Sequence, residues 1–182
     1  MLRTRKRKTK TFFPSISNQN DTGSFYFGGV AKMIQCKQIM TADPACCAPS
    51  CTVDAVAQMM KQHDIGPVPV VSNDSQHALV GIITDRDLAL KVVAANQQPS
   101  QIAASQIMTK EPVCCKPDDD IEDVLDLMQT HQLRRIPVVD TRNRLIGIIS
   151  QADIANRLNW SDKTAQVVEQ VSKPNSKEDA KV

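Results

Sequence analysis

The sequence predicts an α+β fold of two β-α-β-β-α units packed about a pseudo-two-fold axis, and three observations carry that prediction. The first is an internal repeat, in which Ile39-Met40-Thr41 returns as Ile107-Met108-Thr109. The offset of 68 residues then holds for Pro44, Cys46, Cys47, Pro49, Val56, Met60, His63, Pro69, Val70 and Val71. The second is a drop to an offset of 66 where Gly81-Ile82-Ile83-Thr84 meets Gly147-Ile148-Ile149-Ser150. The turn Ser72–Ala78 is two residues longer than Asp140–Arg144, and a length change confined to a turn leaves the flanking strands in register. The third is that helical and strand spacing alternate in the same order in both units. A unit of about 60 residues buries its apolar faces poorly alone, so the two are expected to share surface.

Taken in chain order, a short strand is expected at Ala45–Ala48. The segment Thr52–His63 follows, with Val53, Val56, Ala57 and Met60 on one helical face. Val68–Val71 reads as a strand, Asn73-Asp74 as a turn and Leu79–Ile83 as the returning strand. A helix then starts at Thr84 and carries Leu88, Val92 and Val93. In the second unit Ile121, Val124, Leu125 and Met128 form the helical face behind cap-like Asp118–Asp120. Strands at Ile136–Val139 and Leu145–Ile149 precede a last helix from Ser150, with Ile154 and Leu158. The domain plan is a disordered basic extension over 1–32, one repeat over 35–98, a second over 101–159, and a polar tail over 160–182. That tail has room for a short helix around Thr164–Val171. The organised pattern starts at Met33, as it would if translation began there.

Charge and composition narrow the function. Residues 1–32 carry seven cationic side chains against the single acid Asp21, so with a formal net charge of +2 the rest of the chain is net acidic. An acidic body is a poor match for a phosphate backbone, which leaves any polyanion binding to the extension. Residues 33–159 contain no aromatic side chain on which a base could stack. The same stretch holds only Gly66, Gly81 and Gly147, so neither GxGxxG nor a P-loop can be written in it, and HExxH and GxSxG are absent. No run of about 18 apolar residues is long enough to span a membrane. An enzyme is therefore the least supported class, and no cofactor is required.

Each unit contains an apolar-Pro-Val-Val strand and a Gly-apolar-apolar-[Ser/Thr]-x-x-Asp junction between strand and helix. With His63-Asp64-Ile65-Gly66-Pro67-Val68-Pro69 and Gly81–Asp87, this pattern resembles a tandem pair of cystathionine-β-synthase (CBS) domains, the Bateman module, over about residues 35–158. It is most similar to the small bacterial proteins that contain little else. The resemblance implies an adenosyl ligand (AMP, ADP, ATP or S-adenosylmethionine) between the repeats and regulation of a partner protein whose identity is unknown. It also implies a homodimer formed through outer helices, here with Ala89 and Val93.

The junction residues fit such a ligand physically. A helix N-terminus presents unpaired N–H groups to a phosphate, and Thr84 adds a hydroxyl. Asp87, one turn on, can accept from both ribose hydroxyls, and Ser150 with Asp153 repeats the arrangement. Gly81 would let the ligand approach its strand. The same spacing is also a capping box, in which the two side chains serve only their own backbone. Arg86 adds charge at the first junction, where the second has Ala152. Without aromatics, an adenine would lie against Val68-Pro69-Val70 or Ile136-Pro137-Val138, unless these are simply sheet core. Of Arg134-Arg135, one side chain can face a phosphate, here taken as Arg135, or both can be solvated. His63 and His131 close the first helix of each unit, as dipole caps or as phosphate contacts.

The cysteines Cys36, Cys46, Cys47, Cys51, Cys114 and Cys115 lack C-x2-C spacing, and adjacent residues of a strand face opposite ways. They read as small core residues, with a thiol-based redox or metal-responsive protein as the alternative function. In a reducing cytoplasm, the expected compartment, they stay reduced.

Overall fold

The computed structural model describes residues 33–74 and 76–158. The extension at 1–32 and the tail from 160, with its expected short helix, lie outside them. Helix α1 (Cys36–Ile39) and strand β1 (Thr41–Ala42) lead into helix α2 (Val53–His63), strands β2 (Val68–Val71) and β3 (Leu79–Ile83), and helix α3 (Asp85–Leu88). Helix α3 widens into a π-helical turn over Ala89–Val93. After a 3-10 turn at Pro99–Gln101, the order repeats as α4 (Ala104–Ile107), β4 (Thr109–Lys110), α5 (Ile121–Thr130), β5 (Arg135–Val139), β6 (Leu145–Ser150) and α6 (Gln151–Leu158).

The long helices follow their apolar spacing. Helix α2 buries Val53, Val56 and Met60 and stops where Asp64 turns left-handed at φ 53°. Helix α5 buries Ile121, Val124, Leu125 and Met128, and its N-cap Asp120 accepts from the Glu122 N–H at 3.1 Å. Each hairpin strand β2 and β5 is covered on both faces, so Val68, Val70, Ile136 and Val138 are fully buried. Burial of one such side chain contributes about 1.5–3 kcal/mol. The pairings are antiparallel, Val68 with Ile83 and Ile136 with Ile149, with a bulge after Val70 and after Val138.

The strand expected at Ala45–Ala48 does not form. Pro44 and Pro49 bracket this stretch and withhold two N–H donors, so only Cys47 joins the sheet, by a single parallel bridge to Val70. Its N–H donates to the Pro69 carbonyl at 3.0 Å, and its carbonyl accepts from Val71 N–H at 2.9 Å. Cys115 makes the same bridge to Val138.

The leading strands are β1 and β4, and each crosses to the other repeat. The sheets are ordered β2-β3-β4 and β1-β6-β5, with Thr41 opposite Ile148 and Thr109 opposite Ile82. The short helices cross with them. Cys36 and Ile39 pack in the core of the second repeat, and Ala104 and Ile107 in the core of the first. Matching backbone bonds pin both crossings, Cys36 N–H to Asp119 O at 3.0 Å and Ala104 N–H to Cys51 O at 2.7 Å. The two hairpin turns also meet, through Leu79 N–H to Asn143 O at 2.9 Å and Asn143 Nδ2 to Leu79 O at 3.0 Å.

Candidate functional site

Both strand-to-helix junctions are closed capping boxes. Thr84 sits before α3 in an extended conformation, and its hydroxyl donates to Asp87 Oδ2 at 2.6 Å while accepting from the Asp87 N–H at 3.2 Å. Asp87 Oδ2 also accepts from the Thr84 N–H at 2.8 Å. At the second junction Ser150 Oγ and N–H donate to Asp153 Oδ2 at 2.6 and 2.9 Å, and the Asp153 N–H returns to Ser150 Oγ at 3.1 Å.

Asp87 is committed on its other oxygen as well. Lys91 Nζ lies 2.8 Å from Oδ1, and also donates to the Ile107 carbonyl at 2.7 Å, tying the first junction to the crossing helix α4. Half-burial works to raise the Asp87 carboxyl, but hydrogen bonds from Lys91 and Thr84 outweigh it and hold the group below the ordinary carboxylate value. Arg86 is exposed, and its N–H donates to Asp85 Oδ1 at 2.8 Å.

The expectation that Gly81 leaves room for a ligand is corrected. A Cβ there would lie 2.5 Å from Met108 Sδ, 2.9 Å from its Cγ and 3.0 Å from Thr109 O. At Gly147 it would meet Met40 Sδ at 2.5 Å. Both glycines make room for a methionine carried in by the crossing segment of the other repeat.

A cleft of about 230 Å³ opens between the repeats. From the first repeat it draws Pro44, Ala45, His63, Ile65, Pro67 and Pro69, from the second Arg135 and Ile148, and Thr41 and Asp43 complete it. Of the residues singled out in sequence, Pro69 and Arg135 line it. Thr84, Asp87, Ser150, Asp153, Arg86, Val68, Ile136 and Pro137 are not in its walls. Val68 and Ile136 are fully buried and belong to the two cores. The first junction adjoins the cleft through Gly66, whose carbonyl accepts the Asp85 N–H at 3.2 Å. A Cβ on Gly66 would lie 3.2 Å from Arg135 Nη1 and 3.5 Å from Asp85 Oδ2, so this glycine admits the arginine from the opposite repeat.

The architecture is matched by a family whose repeats fall on the same two stretches. The family model of the CBS domain covers residues 36–94 and again 104–159. The chain is a tandem pair of CBS domains. Among known proteins the pair is 40% identical over 123 residues to the CBS domain-containing protein YhcV of Bacillus subtilis, covering 68% of this chain and 84% of that one. It is 36% identical over 126 residues to Hypoxic response protein 1 of Mycobacterium tuberculosis, covering 69% and 86%. Among solved structures, the CBS domain pair of protein MJ0100 in complex with 5-methylthioadenosine and S-adenosyl-L-methionine superimposes with a TM-score of 0.60. The two are 29% identical, over 70% of this chain and 97% of that one.

Several cleft residues of the CBS pair carry no signal beyond the repeat itself. Thr41 and Pro44 recur as Thr109 and Pro112, and that recurrence, in a stretch with no long strand, is the feature that could have marked them. A larger cavity of about 430 Å³ shares Asp43 and Pro44 with the cleft and continues over Cys46, Val71, His77, Arg144 and Leu145. Among the described residues no three His, Cys, Asp or Glu side chains converge as a metal site, and no helix is long and apolar enough to cross a membrane. Two cysteines belong to each core, Cys47 with Cys51 packed against the first and Cys36 with Cys115 in the second. Burial, reinforced by the neighbouring Cys51 and Cys46, pushes the Cys47 thiol up to about 12. The Cys115 thiol donates to the Pro137 carbonyl at 3.8 Å, and the neighbouring Cys36, with burial, raises it strongly.

Proposed function

We propose that this CBS pair is a non-catalytic sensor that takes an adenosyl ligand into the cleft between its repeats and passes occupancy to a partner protein. The observation that carries the reading is the composition of the cleft. Proline and aliphatic walls at Pro44, Ala45, Ile65, Pro67, Pro69 and Ile148 give a flat apolar slot for a purine, and Arg135 and His63 offer donors to the polar end of the ligand. The adenosyl ligands named for the MJ0100 pair support the same class.

In this reading Asp153, whose cap uses two of about four acceptor positions, receives both ribose hydroxyls, or Asp87, which Lys91 also engages, receives one. Because the cleft is built from both repeats, a ligand that fits one arrangement of them better than another shifts their population by that difference in affinity. A second copy of the chain packs on the outer helix, where Leu90 and Val93 are 54% and 73% exposed.

The test is a thermal-shift and calorimetry panel on the full chain with AMP, ADP, ATP, S-adenosylmethionine and 5-methylthioadenosine, repeated on Asp87→Ala, Asp153→Ala and Arg135→Ala. A ligand at 100 times its dissociation constant adds about 2.7 kcal/mol, a rise of several degrees. The rise should shrink in Arg135→Ala and in one aspartate variant. Absence of any rise with all five ligands on a cooperatively melting wild-type protein would refute the reading.

A further inference from the structure

The two junctions share one cap and differ in what else holds the carboxylate. Asp87 is engaged on both oxygens, Oδ2 by the Thr84 N–H and hydroxyl at 2.8 and 2.6 Å and Oδ1 by Lys91 Nζ at 2.8 Å. Lys91 lies one turn on, inside the π-helical stretch Ala89–Val93. Its ammonium also donates at 2.7 Å to the carbonyl of Ile107, the last residue of α4, and so satisfies a helix-ending acceptor. The first three N–H groups of α3 are engaged too, Asp85 with Gly66 O at 3.2 Å, Arg86 with Asp85 Oδ1 at 2.8 Å and Asp87 with Thr84 Oγ1 at 3.2 Å. Asp153 makes its cap through Oδ2 alone, and among the described residues its Oδ1 has no partner.

The open carboxylate belongs to the junction that continues a cleft wall. Ile148 lines the cleft, and Ser150 is the next residue on the same face of β6, opposite Arg135, which is a wall as well. The matching residue of β3, Ile82, is not among those walls and lies opposite Thr109 of the crossing strand.

We infer that Lys91 makes this pair a one-ligand module: its ammonium closes Asp87, and Asp153 is left as the carboxylate that accepts both ribose hydroxyls. The inference rests on the adenosyl reading above and narrows it to one site in each chain. The bonds that Lys91 makes are charge-assisted at Asp87 and span both repeats, so a neutral ribose that displaced the ammonium would exchange stronger hydrogen bonds for weaker ones. The first junction is therefore a fixed joint between the repeats, and the second is the one that exchanges water for ligand.

The experiment is calorimetric titration of the full-length protein with AMP and, separately, with 5-methylthioadenosine, two probes that share the ribose hydroxyl pair and differ in phosphate. Wild type should bind one molecule per chain. Asp153→Ala should weaken binding by about tenfold or more, the loss expected for hydrogen bonds to a charged group. Lys91→Met keeps an unbranched stem without the ammonium and should bind two molecules per chain, while Lys91→Arg, which keeps the charge, should stay at one. Circular dichroism melts establish that each variant is folded. Two molecules bound per wild-type chain, unchanged affinity in Asp153→Ala, or a single molecule bound by folded Lys91→Met would overturn the inference and leave the adenosyl reading standing. Absence of binding by either probe to cooperatively melting wild type would remove that reading and this inference together.

Discussion

Replacing Gly81 by alanine separates the two roles this position could have. If the glycine faced a ligand, the added methyl would weaken binding and leave the fold alone. The structure assigns the space to Met108, with Sδ at 2.5 Å and Cγ at 2.9 Å from the new Cβ, and Thr109 O of strand β4 behind them at 3.0 Å. Overpacking of this kind costs about 1–3 kcal/mol. The loss of glycine freedom in the unfolded chain returns about 0.4–1 kcal/mol, so Gly81→Ala should be destabilised by about 1–2 kcal/mol. The assay is urea unfolding followed by far-ultraviolet circular dichroism, run as a cycle with Met108→Ala. Truncating Met108 removes two of the three close contacts, so Gly81→Ala should become nearly neutral in that background, with a coupling of about 1 kcal/mol or more. Additive effects, or unchanged stability of the single variant, would refute the crossing geometry at this strand.

Two further outcomes follow from the junction and the outer helix. Asp87→Asn should cost about 1 kcal/mol at neutral pH, since it weakens the capping box and breaks the Lys91 pair. The folded carboxyl lies below its unfolded value of about 3.9, so its contribution is complete above that pH and fades as pH falls through the lower folded value. The gap between wild type and Asp87→Asn should therefore close in acid, as read by urea midpoints from pH 7 down to pH 3. Leu90→Glu combined with Val93→Glu should abolish self-association in sedimentation velocity while leaving the melting transition cooperative, and persistence of the larger species would place the contact elsewhere.

What the sequence made legible depended on periodicity. Helices α2 and α5 and both hairpins repeat their apolar residues often enough to declare themselves, and Thr84 with Asp87 announces a helix start wherever it occurs. Strands β1 and β4 are two residues long, and no period can be read from two residues. Their exchange between sheets is a tertiary fact, and Gly81 was misread for the same reason, because its neighbour Met108 is distant in the chain until the strands cross. The cleft was legible in part. Arg135 and Pro69 stood out by type and position, whereas Ala45 lines it because the chain between Pro44 and Pro49 lies against β2, and Ile65 because it follows the left-handed turn at Asp64 that ends α2.

The exchange of leading strands means that the unit which repeats in the sequence is not the unit which can fold. Severing the chain near Gln98 would leave β3 and β6 each with a bare edge, and leave β1 and β4 each holding the piece the other fragment lacks. Bare edges seek pairing, so such fragments would be stable as complements and poorly stable apart. A single unit made on its own would carry the same shortage, and a second copy of itself would supply the missing strand.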